Sequence, residues 1–148
     1  MYGLSSAINF FADSNIDLAA DDREINVLIS ETCDLRHIMK SLCDELIRPE
    51  IKALAKPREH PVHLYIHEKN YECLARDLLF LTIMCETGMS KRDRMELFLD
   101  IYGNCLLRDK SDVYLQTVVQ ELIQLVTEDE RCPSVLDEMV DFSTLKFA

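Results

Sequence analysis

The residues of this chain that could do chemistry lie between one apolar run and the helical pattern that follows it. Asp34 and His37 are a carboxylate and an imidazole that could transfer protons, with Arg36 between them and Cys33 close by. Glu68 follows a second apolar run. In folds that bind dinucleotides or S-adenosylmethionine, an acidic residue at that place accepts hydrogen bonds from the ribose hydroxyls. The two functions to weigh are therefore proton transfer and cofactor binding.

The first set of residues also has a structural explanation. Asp34 is a suitable N-cap, because its carboxylate can accept hydrogen bonds from the free N–H groups of the helix that begins after it. Arg36 and His37 would then be surface residues. No serine or cysteine is evidently placed beside a base, although Cys33 is near. We therefore expect helix capping here and no catalytic residue.

Glu68 could likewise bind a cofactor or have a purely structural role. A cofactor-binding first turn is rich in glycine, so that the backbone can approach the ligand. Residues 30–37 contain no glycine, and Glu31 adds negative charge where a cofactor would pass. Asp34 and Glu68 remain the candidate cofactor contacts, but we expect a scaffold without cofactor, with Glu68 capping the helix that follows.

A strand that leads directly into a helix must position these residues. Residues 25–29 read INVLI and predict the strand, and apolar positions at helical spacing continue from Leu35 towards Ile47. Residues 62–67 alternate and predict a second strand. On it His63 and His67 share a face about 13 Å apart, too far to bind one metal ion, so we expect no metal site. The predicted fold class is α/β, a Rossmann-like, small, mostly parallel sheet with a helix-rich second half.

Three longer helices are predicted in that second half. The first opens at Lys69 or Asn70, and the others are capped by Ser90 and Ser111. The expected inward faces are Met95, Phe98, Leu99, Tyr102, Cys105 and Leu106, then Leu115, Val118, Val119, Leu122, Ile123 and Val126. A short helix is expected at residues 134–140.

The segment GNCLLR, from Gly103 to Arg108, lies near the end of the second of these helices. A glycine inside a helix costs about 1 kcal/mol relative to alanine, so Gly103 should mark a close approach or a bend. Arg108 can complement the helix dipole. Nothing in the segment, Asn104 included, requires chemistry.

Composition limits the class of protein. We expect residues 1–22 to form a partly ordered arm, where the partly exposed Phe10 and Phe11 could bind a partner, and residues 23–148 to form one domain. The formal net charge of -11 argues against nonspecific nucleic-acid binding and against docking on anionic membranes. The first residues lack a secretion signal, and no C-x-x-C pair occurs. We expect a cytoplasmic protein with reduced core cysteines, among them Cys43, Cys73, Cys85 and Cys105.

Five blocks together resemble the amino-terminal half of the axonemal dynein assembly factor three family. They are YGLSSA (2–7), INVLISETCDLRHIMKSL (25–42), VHLYIHEKNYECLARDLL (62–79), MELFLDIYGNCLLR (95–108) and LKF (145–147). The blocks occur in the family's order with similar gaps. The motif positions they carry are Asp34, Arg36, His37, Glu68, Asn70, Gly103, Asn104 and Arg108.

The resemblance implies a cytoplasmic, non-catalytic factor for the preassembly of axonemal dynein arms, and hence a role in cilium biogenesis and motility. Its implied partners are axonemal dynein chains or chaperone-type assembly factors, bound through an acidic surface. The resemblance also implies a methyltransferase-like fold, but family members tend to carry glycine where this chain has Glu31. The alternatives are a divergent S-adenosylmethionine-dependent methyltransferase or nucleotide-binding enzyme, and a regulatory short form that competes with the full-length factor.

Overall fold

The computed structural model of the protein describes residues 5–16, 23–32, 34–47, 60–127, 136, 139–143 and 145. The chain divides into two compact units, Met1–Leu74 and Ala75–Ala148. The elements are α1 (Phe10–Asp13), β1 (Ile25–Ser30), α2 (Arg36–Ile47), β2 (Val62–His67), α3 (Tyr71–Cys85), α4 (Lys91–Gly103) and α5 (Asp109–Thr127). The expected division into an arm of residues 1–22 and a domain of residues 23–148 stays a prediction.

β1 and β2 form a two-stranded parallel sheet. The register pairs Ile25 with Val62 at one end and Ser30 with His67 at the other. Parallel neighbours cannot be joined by a hairpin, and α2 lies between them in the sequence. Three helices of 15, 13 and 19 residues follow β2. The predicted mixed α/β class with a small parallel sheet and several helices is confirmed.

Alternation along the strands decides which side chains of the first unit are buried. Ile25 and Ile29 are buried on one face of β1. The other face exposes 72% of Leu28 and 53% of its register partner Tyr65. On β2 the apolar residues are half-buried and the polar residues are exposed, so one face of this strand is only partly covered, as predicted.

α3 carries the longest buried run among the described helices. All seven residues from Asp77 to Ile83 are buried, in agreement with the nearly all-round apolar pattern of this segment. The ring of Phe80 lies 4.8 Å from that of Phe98 and 5.7 Å from that of Tyr102, both on α4. Aromatic pairs at such distances stabilise a fold beyond the area they bury, so this cluster holds α4 against α3.

The predicted inward face of α4 is wrong in part. The helix ends at Gly103, so the last two residues of that face lie in the loop that follows. The exposed members are Met95, Leu99, Cys105 and Leu106. Leu97 and Asp100, three residues apart, are buried instead. A Cβ on Gly103 would meet no atom within 4 Å, so this glycine does not mark a close approach.

Two details of α5 also differ from the prediction. Ser111 is not its N-cap, because the helix begins at Asp109 and Ser111 is buried within the first turn. The backbone carbonyl of Arg108 accepts hydrogen bonds from the N–H groups of Ser111 and Asp112. Val118 is buried, but Val119 and Ile123 are exposed. The predicted helix at residues 134–140 lies mostly outside the described residues, although Leu136 is fully buried there.

The cysteines are less buried than predicted. Cys43, Cys73, Cys85 and Cys105 are free thiols, but Cys43 and Cys105 are exposed and the other two are only half-buried. Their helical spacing was therefore a poor guide to burial.

In the part of the chain that the structure describes, no helix is long and apolar enough to span a bilayer.

Candidate functional site at the carboxyl ends of the strands

The two strands end side by side, and the turn after β1 has an unusual backbone. The N–H of Glu31 donates a hydrogen bond of 2.9 Å to the carbonyl oxygen of His67. The φ angle of Glu31 is 52°, in the left-handed region that favours glycine. The turn therefore has a glycine-type conformation with an exposed glutamate in it.

Thr32 connects this turn with Glu68. The Thr32 hydroxyl lies 3.1 Å from the carbonyl oxygen of Asp34 and 3.4 Å from a carboxylate oxygen of Glu68, so it can donate to either. The two candidate cofactor residues, Asp34 and Glu68, are thus brought to the same edge of the sheet. The predicted capping role of Glu68 stays a prediction, and the Asn70 carbonyl accepts the first hydrogen bonds of α3.

Ser30 and His67, the last residues of the two strands, also meet. The Ser30 hydroxyl lies 3.1 Å from Nδ1 of His67, and both residues are exposed. A neutral imidazole can activate a hydroxyl when a third group orients the ring. No such third group contacts His67 among the described residues. Sequence reasoning missed this pair, although the strand register would have revealed it.

Asp34 and Arg36 bind each other at the start of α2. One Asp34 carboxylate oxygen accepts the backbone N–H of Arg36 at 3.1 Å, and the other binds its guanidinium at 2.6 Å. Asp34 therefore satisfies a free N–H of the helix, but from one position before the N-cap, because the first hydrogen bond of α2 runs from Met39 to the Leu35 carbonyl. The other end of the Arg36 guanidinium donates to the Ser5 hydroxyl at 2.8 Å. Cys33, the predicted neighbour of this group, lies outside the described residues.

His37 is buried, which corrects the expectation of a surface residue. Its Nδ1 accepts a hydrogen bond of 3.1 Å from the backbone N–H of Ile8. Burial lowers the pKa of His37, the Arg36 charge lowers it further, and the Asp34 charge opposes both. The ring is therefore held neutral as an acceptor, which fits a structural role better than proton transfer with Asp34.

The segment around α1 binds along α2 through several polar contacts. Asn9 caps α1 with its side-chain oxygen and donates to Asp44 at 3.1 Å, and the N–H of Phe10 donates to the Ser41 hydroxyl at 2.9 Å. Phe11 is 2% exposed. It therefore belongs to the core, which corrects the expected exposure of this side chain. Phe10 is half-buried, and its role in partner binding stays a prediction.

These contacts do not fit a glycine-turn cofactor site. Glu31 puts a Cβ and a negative charge at the position where such a site needs bare backbone. Among the described residues, no group of three or more histidine, cysteine or acidic side chains could hold a metal ion. The arrangement holds the strand ends, the turn and the start of α2 together.

The other motif positions lie in the second unit, around a buried carboxylate that sequence reasoning missed. Asp100 is 4% exposed and accepts hydrogen bonds from Asn104 and from the Arg108 side chain, the latter at 3.1 Å. Hydrogen bonds from Ser111 first, then from Asn104 and Arg108, hold the pKa of Asp100 well below its ordinary value. Asn104 and Arg108 therefore fix the loop between α4 and α5, rather than complement a helix dipole.

The chain is similar to proteins that are named Dynein axonemal assembly factor 3. A bovine (Bos taurus) protein named Dynein axonemal assembly factor 3 is 30% identical over 155 residues, which is 99% of this chain and 27% of the relative. The Xenopus laevis protein of that name is 32% identical over 84% of this chain and 24% of its own length. A Chlamydomonas reinhardtii protein, Dynein axonemal assembly factor 3 homolog, is 25% identical over 99% of this chain and 23% of its own length.

This chain spans about a quarter of the length of the relatives it matches. The resemblance that the five sequence blocks carry is confirmed by these matches. No solved structure matches the chain. A family model described as Domain of unknown function (DUF4470) matches residues 1–107, which is most of the chain. The chain therefore belongs to the DUF4470 family.

Proposed function

We propose that this protein takes part in the assembly of axonemal dyneins as a cytoplasmic, non-catalytic binding protein. The observation that carries the proposal is its similarity, over nearly the whole chain, to proteins named Dynein axonemal assembly factor 3. The proposed partners are axonemal dynein chains or chaperone-type assembly factors.

The contacts at the strand ends support the non-catalytic part of the proposal. Asp34, Arg36 and His37 are committed to the start of α2 and to the segment around α1. The Cβ and the negative charge of Glu31 disfavour binding of an anionic or closely packed cofactor at the first turn. The net charge of -11 favours a partner with a basic surface, because opposite charges accelerate association and favour correct pairing.

The direct experiment is affinity purification with the tagged 148-residue chain from lysates of cells that are building motile cilia. We expect axonemal dynein chains or dynein assembly factors to be enriched over a bait of equal charge and unrelated fold, as measured by quantitative mass spectrometry. The variant Phe10→Ser tests the predicted contact, because Phe10 is half-buried and its loss should not unfold the chain. Equal recovery of these proteins on both baits would contradict the proposal.

We also propose a Rossmann-like, methyltransferase-type scaffold that has no cofactor. The parallel pairing of β1 and β2 with α2 between them in sequence supports such a scaffold. Calorimetric titration with S-adenosylmethionine and with its demethylated product tests whether the scaffold binds a cofactor. We expect no heat of binding from a folded sample. Micromolar binding that is lost in Glu68→Ala would favour an enzyme instead.

A further inference from the structure

A cavity of about 380 Å³ in the second unit is not used by the site at the strand ends. Residues of α4 and α5, of the segment before α4 and of the loop between these two helices line it. Its apolar walls include Met89, Leu97, Val113 and Val118, and most of the remaining lining residues carry charge. Concave sites with apolar walls and a few polar groups are where proteins bind small ligands and single side chains.

The charges of this cavity do not balance. Its two cations, Arg108 and Lys110, already form ion pairs with carboxylates of α4. Two further carboxylates in the lining, Glu86 and Glu121, have no cationic partner among the described residues; Glu86 accepts a backbone hydrogen bond from Gly88. The cavity therefore presents two uncompensated negative charges.

Tyr114 in the same lining adds an unpartnered polar atom. Its hydroxyl oxygen is buried and has no hydrogen-bond partner among the described residues. Burial raises the pKa of Tyr114 to about 12, and the charges of Glu86 and Glu121 contribute in the same direction. Both carboxylates line the same cavity as Tyr114. Because the hydroxyl oxygen has almost no accessible surface, the polar groups that a ligand can reach here are the two carboxylates.

We propose that this cavity binds the guanidinium group of an arginine side chain from a partner protein. A guanidinium is planar and carries five N–H donors, so one group can donate to both carboxylates. It is also less strongly hydrated than an ammonium group, and so loses less on entering a cavity than lysine would. The methylene groups of the arginine would contact Met89 and Val113. This inference does not depend on the proposed role in dynein assembly.

The test is an NMR titration of the ¹⁵N-labelled 148-residue chain with N-acetyl-arginine amide. The matched control ligand is N-acetyl-citrulline amide, which has the same shape and no charge. We expect saturable shifts at cavity residues such as Thr117 and Val118 with the arginine compound only. Equal responses to both compounds, or arginine shifts scattered over the surface, would overturn the proposal.

Two double variants distinguish binding in the cavity from attraction by the net charge of the chain. Replacing Glu86 and Glu121 by glutamine should weaken binding of the arginine compound by about tenfold or more, because the guanidinium loses its attraction to two carboxylate charges. Replacing the exposed Glu24 and Glu72 by glutamine changes the net charge equally and should leave affinity within about twofold. Equal losses in both variants, each shown by its spectrum to be folded, would attribute the binding to net charge and refute the cavity site.

Discussion

The backbone N–H of Ile8 donates a hydrogen bond of 3.1 Å to Nδ1 of His37, so an N-terminal segment is held by a ring on α2. The acceptor exists only while that nitrogen is unprotonated. Next to this bond, Phe10 and Asn9 donate to Ser41 and Asp44 of the same helix. The position of this segment is therefore linked to the ionisation of one buried histidine.

That link predicts a pH dependence of stability. Because the pKa of His37 is lowered in the folded chain, the unfolded chain binds more protons around the ordinary value of 6.5. The contribution of His37 is therefore complete above pH 6.5 and is lost as the pH falls through the folded pKa. Urea unfolding at about pH 7.5 and about pH 5 should show this loss, on the order of 1 kcal/mol for one hydrogen bond.

His37→Asn provides the control for this experiment, because an amide oxygen can accept from Ile8 without titrating. We expect a smaller difference in the free energy of unfolding between the two pH values than in the parent chain. An unchanged difference would show that other groups cause the pH dependence.

The left-handed backbone at Glu31 predicts that glycine is more stable than alanine at this position. Alanine at this φ of 52° is strained and glycine is not, so Glu31→Gly should be more stable than Glu31→Ala by about 1 kcal/mol. At Glu24, which lies outside the left-handed region, the order should reverse, because glycine loses more backbone entropy on folding. Urea denaturation of the four variants measures both differences. The same order at both positions would contradict the assignment of strain to Glu31.

Phe10 and Phe11 should differ in how much their side chains contribute to stability. Phe11 is 2% exposed, so Phe11→Ala should cost about 3–5 kcal/mol through the cavity it leaves. Phe10→Ala should cost clearly less, because its side chain is only half-buried. The free energy of unfolding from urea titration measures the two changes. A similar cost at both positions would mean that Phe10 is also part of the core.

Asp100 should control the acid stability of the second unit. Its pKa is lowered in the folded chain, so its contribution is present above the ordinary value of 3.8 and is lost as the pH falls through the folded pKa. Asp100→Asn should lower the urea midpoint at neutral pH and flatten the acid unfolding curve measured by circular dichroism. Asp112→Asn, an exposed carboxylate nearby in sequence, is the control and should change both little. Equal effects of the two variants would exclude a special role for the buried network.

Tyr114→Phe should stabilise the chain. The buried hydroxyl has no partner among the described residues, so removing it should gain about 1 kcal/mol in the free energy of unfolding. Tyr65→Phe, on the exposed face of the sheet, is the control and should change stability little. A loss of stability in Tyr114→Phe would show that the hydroxyl is hydrogen-bonded in solution.

Local patterns in the sequence determined the main elements of this protein. The two strands, the helix between them and the buried helix α3 were all predicted, because periods of 2 and 3.6 record which face of an element is apolar. Asp34 was predicted at the start of α2, because capping is a contact between near neighbours. The family resemblance was also visible in the order of short sequence blocks.

Only the tertiary structure decided which residues meet across the chain. Ser30 and His67 are brought together by strand register, and His37 is buried by a segment 29 residues earlier. The burial of Phe11 and of Asp100 likewise depends on neighbours that no local pattern specifies. The physical reason is that periodicity gives the direction of a side chain relative to its own element, whereas burial and hydrogen bonding depend on what another element places opposite it.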